Sequence, residues 1–167
     1  MTEPYKYLKY EEMRELLQKL SVQHENYMQL KTSEDLYGIK HKVNCSTNEL
    51  CKLDIVILTD RKAIGPKKQI YISGALHGDE KIGPNSVYYF IEYFLFLQPK
   101  NFLQNLEIIL TPMTNAVGYN FNEREERRQD FQSFDINRDF PYNQLNYHCL
   151  NTIASRVVYK IVTENKI

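Results

Sequence analysis

A layered α/β domain, with a mixed and largely parallel sheet flanked by helices, is predicted by three observations. Three short apolar runs have the length and β-branched content of buried strands: Leu53 to Leu58 (LDIVIL), Gln69 to Ala75 (QIYISGA) and Leu106 to Thr111 (LEIILT). Stretches with helical spacing precede, separate and follow them. The alternation of strand, helix, strand and helix favours a sheet covered by helices, with parallel neighbours.

In chain order, Met13, Leu16, Leu17 and Leu20 recur at i, i+3, i+4 and i+7, which predicts an amphipathic helix over about residues 10–20. The link between the first two strands carries Gly65-Pro66, a turn signal. Pro84 suits the first turn of a helix, and the residues that follow it to Leu97 are apolar on nearly every side. That pattern predicts a helix buried against the sheet and ended by Pro99. Pro112 closes the third strand. After a polar stretch from Thr114 to Tyr147, the residues Leu150, Ile153, Ala154, Val157, Val158 and Ile161 predict a closing amphipathic helix. His148 reads as a histidine at the start of that helix.

Size and charge exclude several function classes. With 167 residues the chain is one domain's worth, able to bury roughly 70% of its unfolded surface without disulfides or a structural metal. Hydrophobic residues make up 43% and charged residues 25%, which argues against disorder. Lys+Arg and Asp+Glu tie at 21 each, so no overall field draws nucleic acid or an anionic membrane. The longest apolar run, Val87 to Leu97, contains Glu92 and falls well short of the ~20 residues of a membrane span. The N-terminus shows no apolar signal region, so a cytoplasmic location is the default expectation. Cys45, Cys51 and Cys149 are odd in number and lack CxxC spacing; free thiols in a reducing compartment are expected.

Two constellations carry chemistry. Gly74, Gly78 and Gly83 cluster just after the second predicted strand, where open α/β sheets place their ligands. Within that turn, His77 and Glu80 form a His-x-x-Glu pattern that offers an imidazole nitrogen and a carboxylate to one metal ion. The alternative is a solvated loop pair. Further on, Phe134-Asp135-Ile136-Asn137-Arg138-Asp139-Phe140-Pro141 sets Asn137 beside Arg138, a combination suited to gripping a carboxylate. Asp135 could accept the free ring N–H of a metal-bound histidine; a surface turn is the plainer reading. The run Asn122 to Asp130 has four acidic and three basic residues and reads as a solvated face, from which one arginine could point inward toward a developing oxyanion.

Taken together these segments resemble the zinc carboxypeptidase family. The HxxE after a strand is matched by His77 and Glu80, and an NPxGY-like segment by Asn115-Ala116-Val117-Gly118-Tyr119 without its proline. A DxNR segment is matched by Asp135, Asn137 and Arg138, and Arg128 lies ten residues before Arg138 as in the family's regulatory branch. The resemblance implies that His77 and Glu80 are two of three protein ligands to Zn2+ and that Asp135 holds His77. It implies that Arg128 stabilises the oxyanion, while Asn137 and Arg138 bind the terminal carboxylate of a peptide or protein substrate. The implied activity is a hydrolase that removes C-terminal residues by metal-activated water.

The family's third ligand lies further past the Asn-Arg pair than the 29 residues that follow Arg138, and the general base and specificity pocket later still. Asp79 stands where some members carry a basic residue, so the neighbouring subsite differs. Residues 1–167 are therefore expected to be the N-terminal portion of a single zinc carboxypeptidase-like domain. Its sheet would be covered by a missing C-terminal half or by a partner. Two alternatives are a non-catalytic truncated pseudoenzyme or binding module, and an N-acyl amino acid deacylase, whose HGxE site is similar.

Overall fold

Helix α1 (Tyr10–Gln23) forms where the apolar spacing predicts it, with Glu12 accepting from the Lys9 backbone N–H at 2.8 Å to close the first turn. Its buried stripe is Tyr10, Met13, Leu17 and Leu20. The structure, a computed structural model, describes residues 6–98, 100–141 and 149–165. Pro99 and His148, both singled out by the sequence, lie outside the described residues.

After α1 come strand β1 (Met28–Thr32) and the short helix α2 (Ser33–Tyr37), neither apparent in the apolar pattern. The strand alternates polar residues because it lies at a sheet edge. The helix is set by local chemistry: Thr32 accepts from the Asp35 N–H at 3.2 Å, and Gly38 ends it in the left-handed region at φ 66°. Strands β2 (Asp54–Leu58), β3 (Lys68–Ser73) and β4 (Leu106–Thr111) then fall on the three predicted runs, with helix α3 (Ile82–Phe96) between β3 and β4.

The four strands form one sheet in the order β1-β2-β4-β3. The pairing β3–β4 is parallel, crossing over through α3, while β1–β2 and β2–β4 are antiparallel. The sheet is mixed as expected, but its parallel share among the described strands is smaller. The reason is that β4 inserts between β2 and β3, an order that apolar runs do not encode.

Two expectations of full burial are corrected. Strand β3 is an edge with Ile70 44% exposed, because no described strand pairs beyond it. Helix α3 buries Val87, Tyr88, Ile91 and Leu95 against the sheet yet turns Tyr89, Tyr93 and Phe96 outward. The larger core lies on the face covered by α1, α3 and helix α4 (Ala116–Phe121), and joins Met13, Leu17, Val56, Leu58, Ile91 and Leu110. On the other face Leu53, Ile55 and Ile109 meet Val157 and Ile161 of helix α5 (Ile153–Asn165). Leu150 precedes α5 at φ 59° rather than joining it.

The expected free thiols at Cys45 and Cys51 are also corrected, since the two form a disulfide. An isolated antiparallel bridge between Asn44 and Leu50 folds this loop back and sets the two Cα atoms 4.7 Å apart. Cys149 is free. Among the described residues, no helix is long and apolar enough to cross a membrane.

The polar stretch after β4 is not a plain surface loop. It holds α4 and a two-stranded ladder of β5 (Glu126–Arg127) and β6 (Ser133–Phe134), and it buries Thr114, Asn115, Glu126 and Asp139.

Candidate functional site

The C-terminal end of β3 runs through Gly74 and Ala75 into the His77–Glu80 turn. Close packing, not a left-handed backbone, requires glycine here. A Cβ on Gly78 would stand 2.0 Å from the Gly118 carbonyl carbon, so the turn lies directly on α4. The Asn115–Tyr119 segment is shaped to receive it. Asn115 accepts from the Gly118 N–H at 2.8 Å and donates to the Arg124 carbonyl at 3.2 Å, while Gly78 N–H donates to that same carbonyl at 3.2 Å. Lys81 reaches across to donate to the Gly78 carbonyl at 3.0 Å, its ammonium 4.0 Å from the centre of the Tyr119 ring.

His77 is 5% exposed, and both of its ring nitrogens are engaged. Nδ1 lies 2.9 Å from Glu80 Oε1, and Nε2 lies 3.3 Å from Asp135 Oδ1 and 3.1 Å from the Asn137 side-chain amide. Asp135 starts the 3-10 turn Ile136–Arg138, where its Oδ1 also accepts from the Asn137 N–H at 2.9 Å. Burial works against its charge, but that N–H and His77 together hold its carboxyl below the usual range. With the ring proton on Nε2 it donates to Asp135 and the Nδ1 lone pair faces Glu80; with the proton on Nδ1 it donates to Glu80 and Nε2 accepts from the Asn137 amide. A lone pair and a carboxylate oxygen at 2.9 Å repel unless a proton or a cation lies between them. Glu80 keeps 60% of its side chain exposed, so the pair is open to an arriving ion.

The structure thus brings His77, Glu80, Asp135 and Asn137 into mutual contact. Arg138 is exposed at the end of the 3-10 turn and pairs with no carboxylate among the described residues. Arg128 instead pairs with Asp130 at 3.1 Å, its guanidinium 5.5 Å from the Phe134 ring centre. The arginine of the polar run that reaches the site is Arg124, with Nη1 3.5 Å from Glu80 Oε1. No spacing rule marks it out. The pair His77 and Glu80 offers the nitrogen and oxygen donors that zinc accepts, with an acceptor already on the histidine's far side. Among the described residues no group of three His, Cys, Asp or Glu could hold a metal ion.

A second histidine–carboxylate cluster escapes sequence reasoning. Glu126, 1% exposed, accepts from the backbone N–H groups of Ile153 at 2.7 Å and Ala154 at 3.0 Å, at the start of α5. Asp139 completes the same helix end by accepting from the Asn151 N–H at 2.8 Å, the Thr152 N–H at 2.7 Å and the Ser155 hydroxyl at 2.6 Å. His41 Nδ1 lies 3.9 Å from Glu126 Oε1, and its Nε2 meets no partner among the described residues. Burial pushes the Glu126 carboxyl up to about 7 against the pull of the two N–H groups. Burial, with the Arg156 charge beside it, drives the His41 imidazole down to about 3.

Comparison with solved structures shows which folds this one is like. The chain is similar to thrombin activatable fibrinolysis inhibitor (TM-score 0.77, 14% identity), covering 96% of its own length and 45% of that protein. It is similar to carboxypeptidase A from Helicoverpa armigera (TM-score 0.74, 18% identity), covering 95% of itself and 43% of that chain. A weaker likeness, TM-score 0.50 at 18% identity, joins 81% of the chain to 35% of an aspartoacylase family protein from Mesorhizobium loti. At these identities the likeness is one of fold, and the chain spans less than half the length of these three structures. No curated protein matches the sequence. The sequence signature of the zinc carboxypeptidase family, however, matches residues 13–160, and the chain belongs to that family.

Proposed function

We propose that this chain carries part of the active site of a zinc-dependent carboxypeptidase, acting on the C-terminus of a peptide or protein. His77 and Glu80 are assigned to Zn2+, Asp135 to orienting His77, and Arg128 to the oxyanion. Asn137 and Arg138 are assigned to the substrate's terminal carboxylate. The observation that carries this reading is the His77 ring held between Glu80 and Asp135 at the end of β3. When bound, zinc supplies a Lewis acid and lowers the pKa of water toward 7.

The chain's own residues do the rest. Asp135 keeps the proton on Nε2 and so keeps Nδ1 free to ligate. The exposed Arg138 fork, beside the Asn137 amide, suits a bidentate grip on a carboxylate. Holding the chain end there fixes its distance from His77, which limits release to terminal residues. Arg128 pairs at the surface with Asp130, a contact weak enough to exchange for substrate.

A non-catalytic binding form is favoured by one observation, the lack of a third donor beside His77 and Glu80 among the described residues. The Cys45–Cys51 disulfide favours an oxidising compartment over the cytoplasm. The deciding experiment is a chelator-buffered zinc titration of the purified chain, followed by assays on N-blocked dipeptides and on N-acylated amino acids. Zinc uptake that depends on His77, with release of C-terminal residues, supports the proposal. Uptake without turnover selects the non-catalytic form, and preference for N-acylated amino acids selects a deacylase. Zinc binding that His77→Ala leaves unchanged overturns all three assignments of this site.

A further inference from the structure

Beside the α5 N-terminus lies a cavity of about 710 Å³ whose lining, Arg128 apart, the peptidase reading does not use. Five cationic side chains line it (Lys40, Lys42, Arg127, Arg128 and Arg156) against two carboxylates, Glu126 and Asp130. One of those carboxylates is committed elsewhere, since both Glu126 oxygens accept backbone N–H groups of α5. In the wall sits His41, 2% exposed, with Nε2 unpartnered among the described residues. An orphaned ring nitrogen at that depth is costly unless something arrives to meet it. Three of the five cations are already ion-paired, Lys40 with Glu34 at 3.0 Å, Arg127 with Glu123 at 3.7 Å and Arg128 with Asp130 at 3.1 Å, which leaves Arg156 and Lys42. Arg156 is exposed and donates through Nε to the Thr152 carbonyl at 3.2 Å, while Lys42 is exposed and forms no ion pair among the described residues. Two cations without an ion pair among the described residues, one of them an arginine fork, beside a buried imidazole describe a receptor for a multiply charged oxyanion.

The geometry points to this cavity as an oxyanion-binding site, taking a phosphate group or the clustered carboxylates of an acidic peptide, with Arg156 and Lys42 as charge partners and the buried His41 in the wall behind them. The site stands apart from the His77 pair, and its failure would leave the peptidase assignment untouched. Its wall includes Arg128, so an occupant here would compete for that guanidinium with any substrate oxyanion.

The purified chain, kept in chelator so that no metal contributes, is titrated with inorganic phosphate. A parallel titration uses an N-acetylated, C-amidated tri-glutamate, which has no terminal carboxylate for Asn137 and Arg138. Binding is followed by calorimetry and by the ring 15N shifts of His41 and His77. Saturable binding that moves His41 and not His77 is expected, and Arg156→Met should weaken it about tenfold, the worth of one charge-assisted contact. Lys42→Met, at an exposed loop position, provides a second variant with no folding risk. Binding of phosphate alone marks a phosphate source; binding of the peptide marks carboxylates. The inference is overturned if neither ligand shifts His41, or if both variants bind as the parent does.

Discussion

Two histidine–glutamate pairs occur among the described residues, and they differ in how far the carboxylate is already committed to other partners. His77 and Glu80 meet at 2.9 Å, with Asp135 behind the ring and the Glu80 side chain 60% exposed. His41 and Glu126 stand 3.9 Å apart, at 2% and 1% exposure. In the first pair the carboxylate has lone pairs to give, because beyond His77 it meets one exposed arginine, Arg124 at 3.5 Å, and is otherwise open to solvent. In the second both carboxylate oxygens are saturated by α5, and the imidazole is kept neutral. Proximity alone would not separate them; the prior commitments of the carboxylate do.

The comparison breaks most visibly at the α5 N-terminus. Asp139→Ala should remove the acceptor from four buried or half-buried donors and destabilise the chain by about 4 kcal/mol, at the low end of roughly 1–3 kcal/mol for each orphaned group. Urea unfolding reads the loss, and hydrogen exchange should locate it in α5. Retained protection of α5 would show that the buried cluster is not what anchors this helix.

The metal arm comes next. His77→Ala should weaken zinc binding by about a hundredfold, at or above what losing an outer-shell partner costs, which is about 2.7 kcal/mol. Glu126→Gln should leave zinc binding as it was. Equal effects from the two variants, measured by competition with a chromophoric chelator, would erase the distinction between the pairs. A smaller effect is expected from reducing Cys45–Cys51, which closes a short loop just beyond His41. Roughly 2 kcal/mol of stability should go, with the His77 ring shifts unmoved; a change at His77 would mean that the two regions are coupled.

What the sequence made legible follows the same division. His77 and Glu80 are three residues apart on one turn, so a local pattern exposes them. Asp135, Asn137 and Arg138 are likewise local to one 3-10 turn. The three strand runs and the spacing of α1 were readable because burial writes itself into apolar periodicity. Glu126 was hidden because its partners, Ile153 and Ala154, lie 27 and 28 residues further on, inside a stretch whose alternating charges read as solvated. Strand order was hidden too, since the placement of β4 between β2 and β3 leaves no trace in either strand's composition. The disulfide escaped because an antiparallel bridge, not a motif, joins the two cysteines.

The smallest effect per step, and the sharpest test of the buried pair, is the slope of stability against pH. Glu126 has its folded pKa raised to about 7, against about 4.3 unfolded. The folded chain therefore binds the extra proton between those values, and this term lowers stability as pH rises through that window. His41 acts oppositely. Its folded value of about 3 lies below an unfolded value of about 6.5, so its stability is present above 6.5 and is lost as pH falls. Between about pH 4.5 and 6.5 the two slopes cancel, each worth about 1.4 kcal/mol per pH unit. Glu126→Gln deletes one slope and leaves the other. The variant's stability relative to the parent should therefore climb by about 1.4 kcal/mol for each pH unit through that window. Asp135 and Asp139, both held below the usual carboxylate range, titrate beneath it and are common to both proteins. Parallel stability curves for parent and variant would mean that Glu126 keeps its charge in the fold beside a neutral His41.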